Sequence, residues 1–232
     1  MYQVLLFDAD DTIFDFHACE QHALKETFAN HAIDFHKEME NCYHEINHDL
    51  WSRYETGELS REEVVFTRFS CLFDRFHIDL DGVLFEKDYQ SALAEGHQLL
   101  EGAYDLLTAL HGHFRLFIVS NGVVATQYQR LHDAGLTSFF EKIFLSEEVG
   151  FRKPQPEFFQ PVLQAANCER KELLLIGDSL TSDIKGANQM GIDCVWMNPQ
   201  KKKAPASLRI TFEIQALDQL YEILGLNDSS VQ

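Results

Sequence analysis

The chain has 232 residues, 45% apolar and 24% charged, with 19 Phe that can fill a sizeable core without disulfides or structural metals. That balance excludes a disordered tail, a collagen, a coiled coil and a disulfide scaffold, and no apolar run approaches the roughly 18 residues that a membrane span needs. Lys and Arg number 19 against 37 acids, a formal net charge of −18 that repels nucleic-acid polymers and anionic membranes but leaves room for a small anion where cations or a metal are focused locally.

In chain order, the first element is the apolar run Val4–Phe7, the pattern of a buried parallel strand. From about Asp15 to His97 no strand is evident. Helical periodicity, as in Val65, Phe69, Leu72 and Phe76, fills roughly 80 residues, far more than a crossover between strands requires. The sequence therefore predicts a helical subdomain, residues 15–97, inserted after the first strand of a core formed by 1–14 and 98–232, with hinges near Phe14–Phe16 and His97–Gly102.

After the insertion, strand and helix alternate. Ala103, Leu106, Leu107 and Leu110 make a helical stripe, and Leu116–Ser120 reads as a strand. Val124, Tyr128 and Leu131 form a second stripe, Lys142–Leu145 a weaker strand, and Phe158, Val162 and Ala165 a third stripe. Leu173–Gly177 and Asp193–Met197 complete the strands, giving an α/β fold with a doubly wound parallel sheet. Lys201, Lys202 and Lys203 read as a solvated loop, and residues 227–232 as a frayed end. The five cysteines (Cys19, Cys42, Cys71, Cys168 and Cys194) form no CxxC. With no signal peptide ahead of Val4, they predict a reduced, cytoplasmic protein.

Ligands of open α/β sheets bind at the carboxyl ends of the strands, so the residues just past each strand sample the site. The first strand ends in Asp8-Ala9-Asp10-Asp11-Thr12, the second in Ser120-Asn121-Gly122, and the Leu173–Gly177 strand in Asp178, with Asp183 five residues on. Lys153-Pro154 follows the weak strand and supplies the nearest plausible cation. Asp8, Asp10, Asp178 and Asp183 near one Lys leave a formal deficit of three negative charges, which a divalent cation offsets. Oxygen ligands favour Mg²⁺ over Zn²⁺, and Mg²⁺ shared between few carboxylates and a substrate points to phosphate chemistry.

The ordered set Asp8-x-Asp10-x-Thr12, Ser120-Asn121-Gly122, Lys153-Pro154 and Gly177-Asp178 followed by Asp183 resembles the haloacid dehalogenase superfamily of phosphatases over nearly the whole chain. The resemblance implies a Rossmann-like core with a type-one helical cap between the first two motifs; the 30 residues between Gly122 and Lys153 leave no room for a second large cap. It implies that Asp8 is the nucleophile, forming an aspartyl phosphate, and Asp10 the general acid and base. Ser120 with the amides of Asn121 and Gly122 would hold phosphate oxygens, and Lys153 would hold phosphate and neutralise Asp8. Mg²⁺ would sit on Asp8, the Asp10 carbonyl and Asp178, with Asp183 acting through water or Lys153. Dehalogenases on this scaffold lack an acid two residues after the nucleophile, because a departing halide needs no proton. Asp10 therefore favours phosphoester hydrolysis, and phosphomutases, which carry both Asp, stay open.

Three segments are similar to YjjG-type pyrimidine 5′-nucleotidases: residues 7–16, Leu50-Trp51-x-x-Tyr54-x-x-Gly57, and 146–150. The resemblance implies hydrolysis of nucleoside 5′-monophosphates, chiefly deoxypyrimidine and modified ones, with small sugar phosphates or phosphoglycolate as the alternative substrates. Trp51 and Tyr54 would either stack on the base or pack the helical subdomain's own core. Two readings of other classes remain. A phosphoacceptor receiver also gathers Asp, Ser or Thr and Lys on strand ends, although it is about half this length. His44-Glu45-Ile46-Asn47-His48 matches the HExxH signature of zinc proteases, without an evident third ligand.

Overall fold

Val4, Leu5, Leu6 and Phe7 are wholly apolar, so a strand made of them is stable only with both faces covered. In the computed structural model, which describes residues 1–226, all four are fully buried as β1 (Val4–Phe7) at the centre of a six-stranded sheet. The other strands are β2 (Arg115–Ser120), β3 (Lys142–Leu145), β4 (Leu173–Gly177), β5 (Asp193–Met197) and β6 (Phe212–Ile214). Every neighbouring pair is parallel, in the order β3-β2-β1-β4-β5-β6. The strand period of two divides β1 between the layers. Leu5 and Phe7 face a core with Leu106, Leu107 and Leu110, whereas Val4 and Leu6 face Phe158, Val162 and Ile184. Each such side chain taken fully from water contributes roughly 1.5–3 kcal/mol.

The register decides where the site lies. Phe7 pairs with Ile118 on β2 and Ile176 on β4, so Asp8, Ser120 and Asp178 emerge at the same edge. The chain winds from β1 outward through β2 and β3, then returns to β4 on the other side of β1. The gap between β1 and β4 is thus the switch point at which such sheets bind ligands.

The chain divides into two compact units, Met1–Phe16 with the segment from His97 onward, and His17–Gly96. The sequence reading put these divisions at 14/15 and 97/98. The inserted unit contains helices α1 (Phe16–Asn30, from its second residue), α2 (Lys37–Thr56), α3 (Arg61–Phe76) and α4 (Gly82–Glu95), and no strand among its described residues. Ser60 starts α3 with a capping box, accepting from Glu63 N–H at 3.1 Å while Glu63 accepts from Ser60 N–H at 2.7 Å. Phe28, Tyr43, Phe69, Phe73, Phe85 and Tyr89 form the unit's aromatic core, and the buried Arg68 packs on Phe69 and Tyr89. The Arg68 fork donates two 2.7 Å hydrogen bonds to Glu86 and one of 3.0 Å to Asn47 Oδ1, and its guanidinium lies 4.7 Å from the Tyr89 ring centroid. Tyr43 and Asn47 in turn donate to the buried Glu20.

In the sheet-bearing unit, α5 (Ala103–Leu110) buries all four residues of its predicted stripe. The next helix, α6 (Val124–Asp133), departs from expectation. It buries Thr126, Gln127, Arg130 and Leu131, while Tyr128 is exposed, so its inner face is largely polar. The sequence reading also omitted β6, a three-residue edge strand too short to carry a pattern. Residues 227–232, expected to fray, lie outside the described residues. Lys201, Lys202 and Lys203 are exposed, as a solvated loop requires.

Candidate active site

At the end of β1 the Asp8 N–H donates to Ile176 O at 2.9 Å, extending the ladder by one residue. The chain then turns sharply. Ile13 and Phe14 both donate to Ala9 O at 3.0 and 2.9 Å, and Asp11, at φ 55°, donates to Phe14 O at 2.9 Å. Ala9 is fully buried, so a small residue between the two acids lets this turn close against the sheet.

Lys153 is 1% exposed and uses all three ammonium donors. Nζ donates to Asp8 Oδ1 at 2.5 Å, Asp183 Oδ1 at 2.7 Å and Val119 O at 2.7 Å. Its main chain is held by Asn121, whose Oδ1 accepts from Lys153 N–H at 2.9 Å and whose Nδ2 donates to Lys153 O at 3.1 Å. Asp183 is fully buried and also accepts from Ser179 N–H at 3.1 Å. Gly177 makes room for it, because a Cβ there would overlap the Asp183 carboxylate. Trp196 Nε1 donates to Asp178 O at 2.8 Å and so ties the loop after β4 to β5.

Asp8, Asp178 and Asp183 bring carboxylate oxygens within 4.8 Å of one another. Burial pushes the Asp8 carboxyl from 3.8 up to about 8, with Asp183 and Asp10 adding to the rise and Lys153 opposing it. Burial likewise raises Asp178 well above the carboxylate range, helped by Asp8 and Asp183. Lys153 itself is raised, because its two carboxylate partners outweigh its desolvation.

The sequence reading counted one cation here, and the structure supplies a second. Arg130, fully buried on α6, donates from Nη1 to Asp10 Oδ1 at 2.5 Å, and Gln127 Nε2 donates to Asp10 Oδ2 at 2.5 Å. Four carboxylates against Lys153 and Arg130 leave two formal negative charges, the charge of one divalent ion. Oxygen-only and short of positive charge, with Asp8 and Asp183 buried and Asp178 half-buried, these three carboxylates fit Mg²⁺.

The site thus brings together Asp8, Lys153, Asp178 and Asp183 directly, with Asp10 and Ser120 linked through Gln127, whose Nε2 lies 3.3 Å from Ser120 Oγ. Ser120 Oγ also accepts from Gly122 N–H at 3.0 Å, so that amide, expected to face phosphate, is engaged within its own loop.

A family model described as haloacid dehalogenase-like hydrolase matches residues 5–197. The chain belongs to that family. The HAD-hydrolase YfnB of Bacillus subtilis is 45% identical over 98% of this chain and 97% of its own. A crystal structure of that relative bound to magnesium superposes with a TM-score of 0.93 at 46% identity, covering 97% of this chain and 99% of that one. The pyrimidine 5′-nucleotidase PynA of Streptococcus pneumoniae is 36% identical over 97% of this chain and 96% of its own. This family membership displaces the receiver reading.

The HExxH reading fails on geometry. Both ring nitrogens of His44 face carboxylates, Nδ1 3.4 Å from Glu20 and Nε2 3.9 Å from Glu40, while His48 is exposed. Among the described residues, the acidic and His or Cys side chains gathered closely enough to hold a metal are Asp8, Asp178 and Asp183. Trp51 and Tyr54 meet edge to face at 5.4 Å between centroids within a small apolar cluster with Leu50 and Val64. Tyr54 is buried there and Trp51 half-buried, so packing accounts for Tyr54. Sequence reasoning missed Gln127, Arg130, Trp196 and the Asn121 side chain. The signal for the first two was a Gln and an Arg three residues apart on the helix directly after a motif-bearing strand.

Proposed function

We propose that this hydrolase is a Mg²⁺-dependent, cytoplasmic phosphomonoesterase acting on nucleoside 5′-monophosphates, chiefly pyrimidine and deoxypyrimidine ones. The observation that carries the chemistry is the buried Asp8–Lys153–Asp183 arrangement beside Asp178, with Asp10 two residues beyond Asp8. The nucleotide preference is supported by PynA and by the pyrimidine 5′-nucleotidase YjjG of Escherichia coli, 32% identical over 95% of this chain and 96% of its own.

In this reading an Asp8 carboxylate oxygen attacks phosphorus, and the bond to the ester oxygen breaks as Asp10 gives that oxygen a proton. Asp10 then takes a proton from the water that attacks the aspartyl phosphate, releasing phosphate and restoring Asp8. Lys153 keeps Asp8 oriented and neutralises it, while Ser120 and the Asn121 amide hold phosphate oxygens, the Gly122 amide being taken by Ser120 Oγ. Asp8, the Asp10 carbonyl and Asp178 would hold Mg²⁺, with Asp183 acting through water or Lys153, and the ion would offset repulsion between carboxylate and phosphate.

Phosphate release from dUMP, dTMP, UMP, AMP, phosphoglycolate and glucose 6-phosphate, with Mg²⁺ and with EDTA, tests this function. Mg²⁺-dependent release led by the pyrimidine monophosphates is expected. A lead by phosphoglycolate or glucose 6-phosphate would replace the nucleotide with a small phosphorylated acid or sugar. That alternative is favoured by the glyceraldehyde 3-phosphate phosphatase of Pyrococcus abyssi, 26% identical over 97% of this chain. No release from any ester would overturn the phosphatase reading.

A further inference from the structure

The inner face of α6 carries Gln127 and Arg130 where an apolar stripe would pack more cheaply, and both are essentially inaccessible to water. A buried guanidinium gains little stability over a well-packed apolar side chain, so packing alone gives no reason for it. What the two residues share is Asp10. Arg130 Nη1 holds one carboxylate oxygen and Gln127 Nε2 the other, so the plane of the carboxyl is fixed at both ends.

The holders are themselves held. Arg130 Nη1 reaches Gln127 Oε1 at 3.4 Å, which settles which way the amide points. The Arg130 guanidinium lies 4.3 Å from the centroid of Phe14, the residue that closes the turn carrying Asp10. Gly122 leaves the space that Gln127 occupies, since a Cβ there would overlap its amide nitrogen. Gln127 Nε2 also approaches Ser120 Oγ at 3.3 Å, joining the acid–base residue to the residue proposed to hold phosphate. The Asp10 side chain keeps about a quarter of its surface open (28%), so it is gripped without being enclosed.

We infer that Arg130 and Gln127 are positioning residues that hold the Asp10 carboxyl in the orientation for proton transfer to the leaving oxygen. The inference rests on the acid–base role proposed for Asp10 and adds the residues through which that role is exercised. A 1 Å drift of a proton donor can cost about 10²-fold, so the effect belongs in the chemical step.

The test is first-turnover release of the alcohol, measured for p-nitrophenyl phosphate and for the alkyl phosphoester that the wild type hydrolyses fastest. Nitrophenolate leaves with little protonation, whereas an alkoxide needs the proton. Asp10→Asn, Arg130→Met, Arg130→Lys and Gln127→Leu are compared with wild type. Arg130→Met and Gln127→Leu should each raise the ratio of nitrophenolate to alkyl-alcohol release rates by at least about tenfold. Arg130→Lys should recover part of that loss, and Asp10→Asn combined with Arg130→Met should be no worse than Asp10→Asn alone. Equal losses on both esters, or additive losses in the double variant, would overturn the inference while leaving the role of Asp10 intact. If Asp10→Asn itself leaves the ratio unchanged, the acid role falls and the positioning role falls with it. Should Arg130→Met not fold, Gln127→Leu and Arg130→Lys decide the question by the same ratio.

Discussion

Asn121 and Lys153 exchange two hydrogen bonds, the carboxamide of one pairing with the peptide N–H and C=O of the other at 2.9 and 3.1 Å. The side chain thus acts as a neighbouring strand would, fixing the backbone directly beneath the ammonium that bridges Asp8 and Asp183. Asn121→Ala would strip both partners from a part-buried peptide unit. We expect a loss of about 1–3 kcal/mol in urea denaturation, together with lower kcat/KM. Unchanged stability would show that the loop holds Lys153 without this clamp.

Metal-free stability should fall with pH over the range in which most folded proteins are at their best. The folded Asp8 carboxyl is raised by burial from 3.8 to about 8, and Asp178 moves the same way. Between roughly pH 4 and 8 the unfolded chain has released protons that the folded chain retains, so the unfolded state gains as pH rises. Mg²⁺ binds the ionised carboxylates and should reverse the trend. Thermal unfolding should show a Tm that falls from pH 5.5 to 8 in EDTA, and a Mg²⁺ stabilisation larger at pH 8 than at pH 5.5. Asp178→Asn should remove most of that stabilisation. A Mg²⁺ shift independent of pH would contradict the assignment of these carboxylates.

The buried Arg68–Glu86 pair should be the most sensitive point of the helical unit. Arg68→Met leaves Glu86, and beyond it Asn47, Tyr43 and Glu20, without the cation around which they are arranged. Removing one partner of a buried pair costs about 3–5 kcal/mol, and Arg68→Lys, which cannot make the two-pronged contact, should fall between. Chemical denaturation of the full chain measures both. A neutral Arg68→Met would mean that the aromatic core holds the unit without the ion pair.

The parts of this molecule legible in the sequence are those in which one residue class has one fate. Val4–Phe7 could only be a strand covered on both sides, and Ala103, Leu106, Leu107 and Leu110 could only be a buried helical stripe. Asp8, Asp178 and Asp183 were legible as a group because strand ends of a parallel sheet converge. Helix α6 was misread for the opposite reason. Val124, Tyr128 and Leu131 form an apolar stripe, yet Tyr128 is exposed because the face next to Asp10 is given over to Gln127 and Arg130. An Arg on a helix is ordinarily solvated, and its pairing with Asp10 spans 120 positions, so the Gln127–Arg130 spacing alone does not name the partner. Tyr54 has the converse ambiguity: an aromatic at helical spacing fits a ligand face or a core equally, and here it is buried in the core.

The central claim is that Asp8 carries the phosphoryl group. The most direct measurement is intact-mass and peptide analysis after acid quenching of the enzyme during turnover of its best phosphoester. Asp10→Asn should be included, because slowed hydrolysis lets the intermediate accumulate. One phosphoryl group is expected on the peptide containing Asp8, absent without Mg²⁺ and absent in Asp8→Asn, which should fold normally and release no phosphate. Sustained phosphate release by Asp8→Asn, with no adduct on any peptide of the wild type, would contradict it.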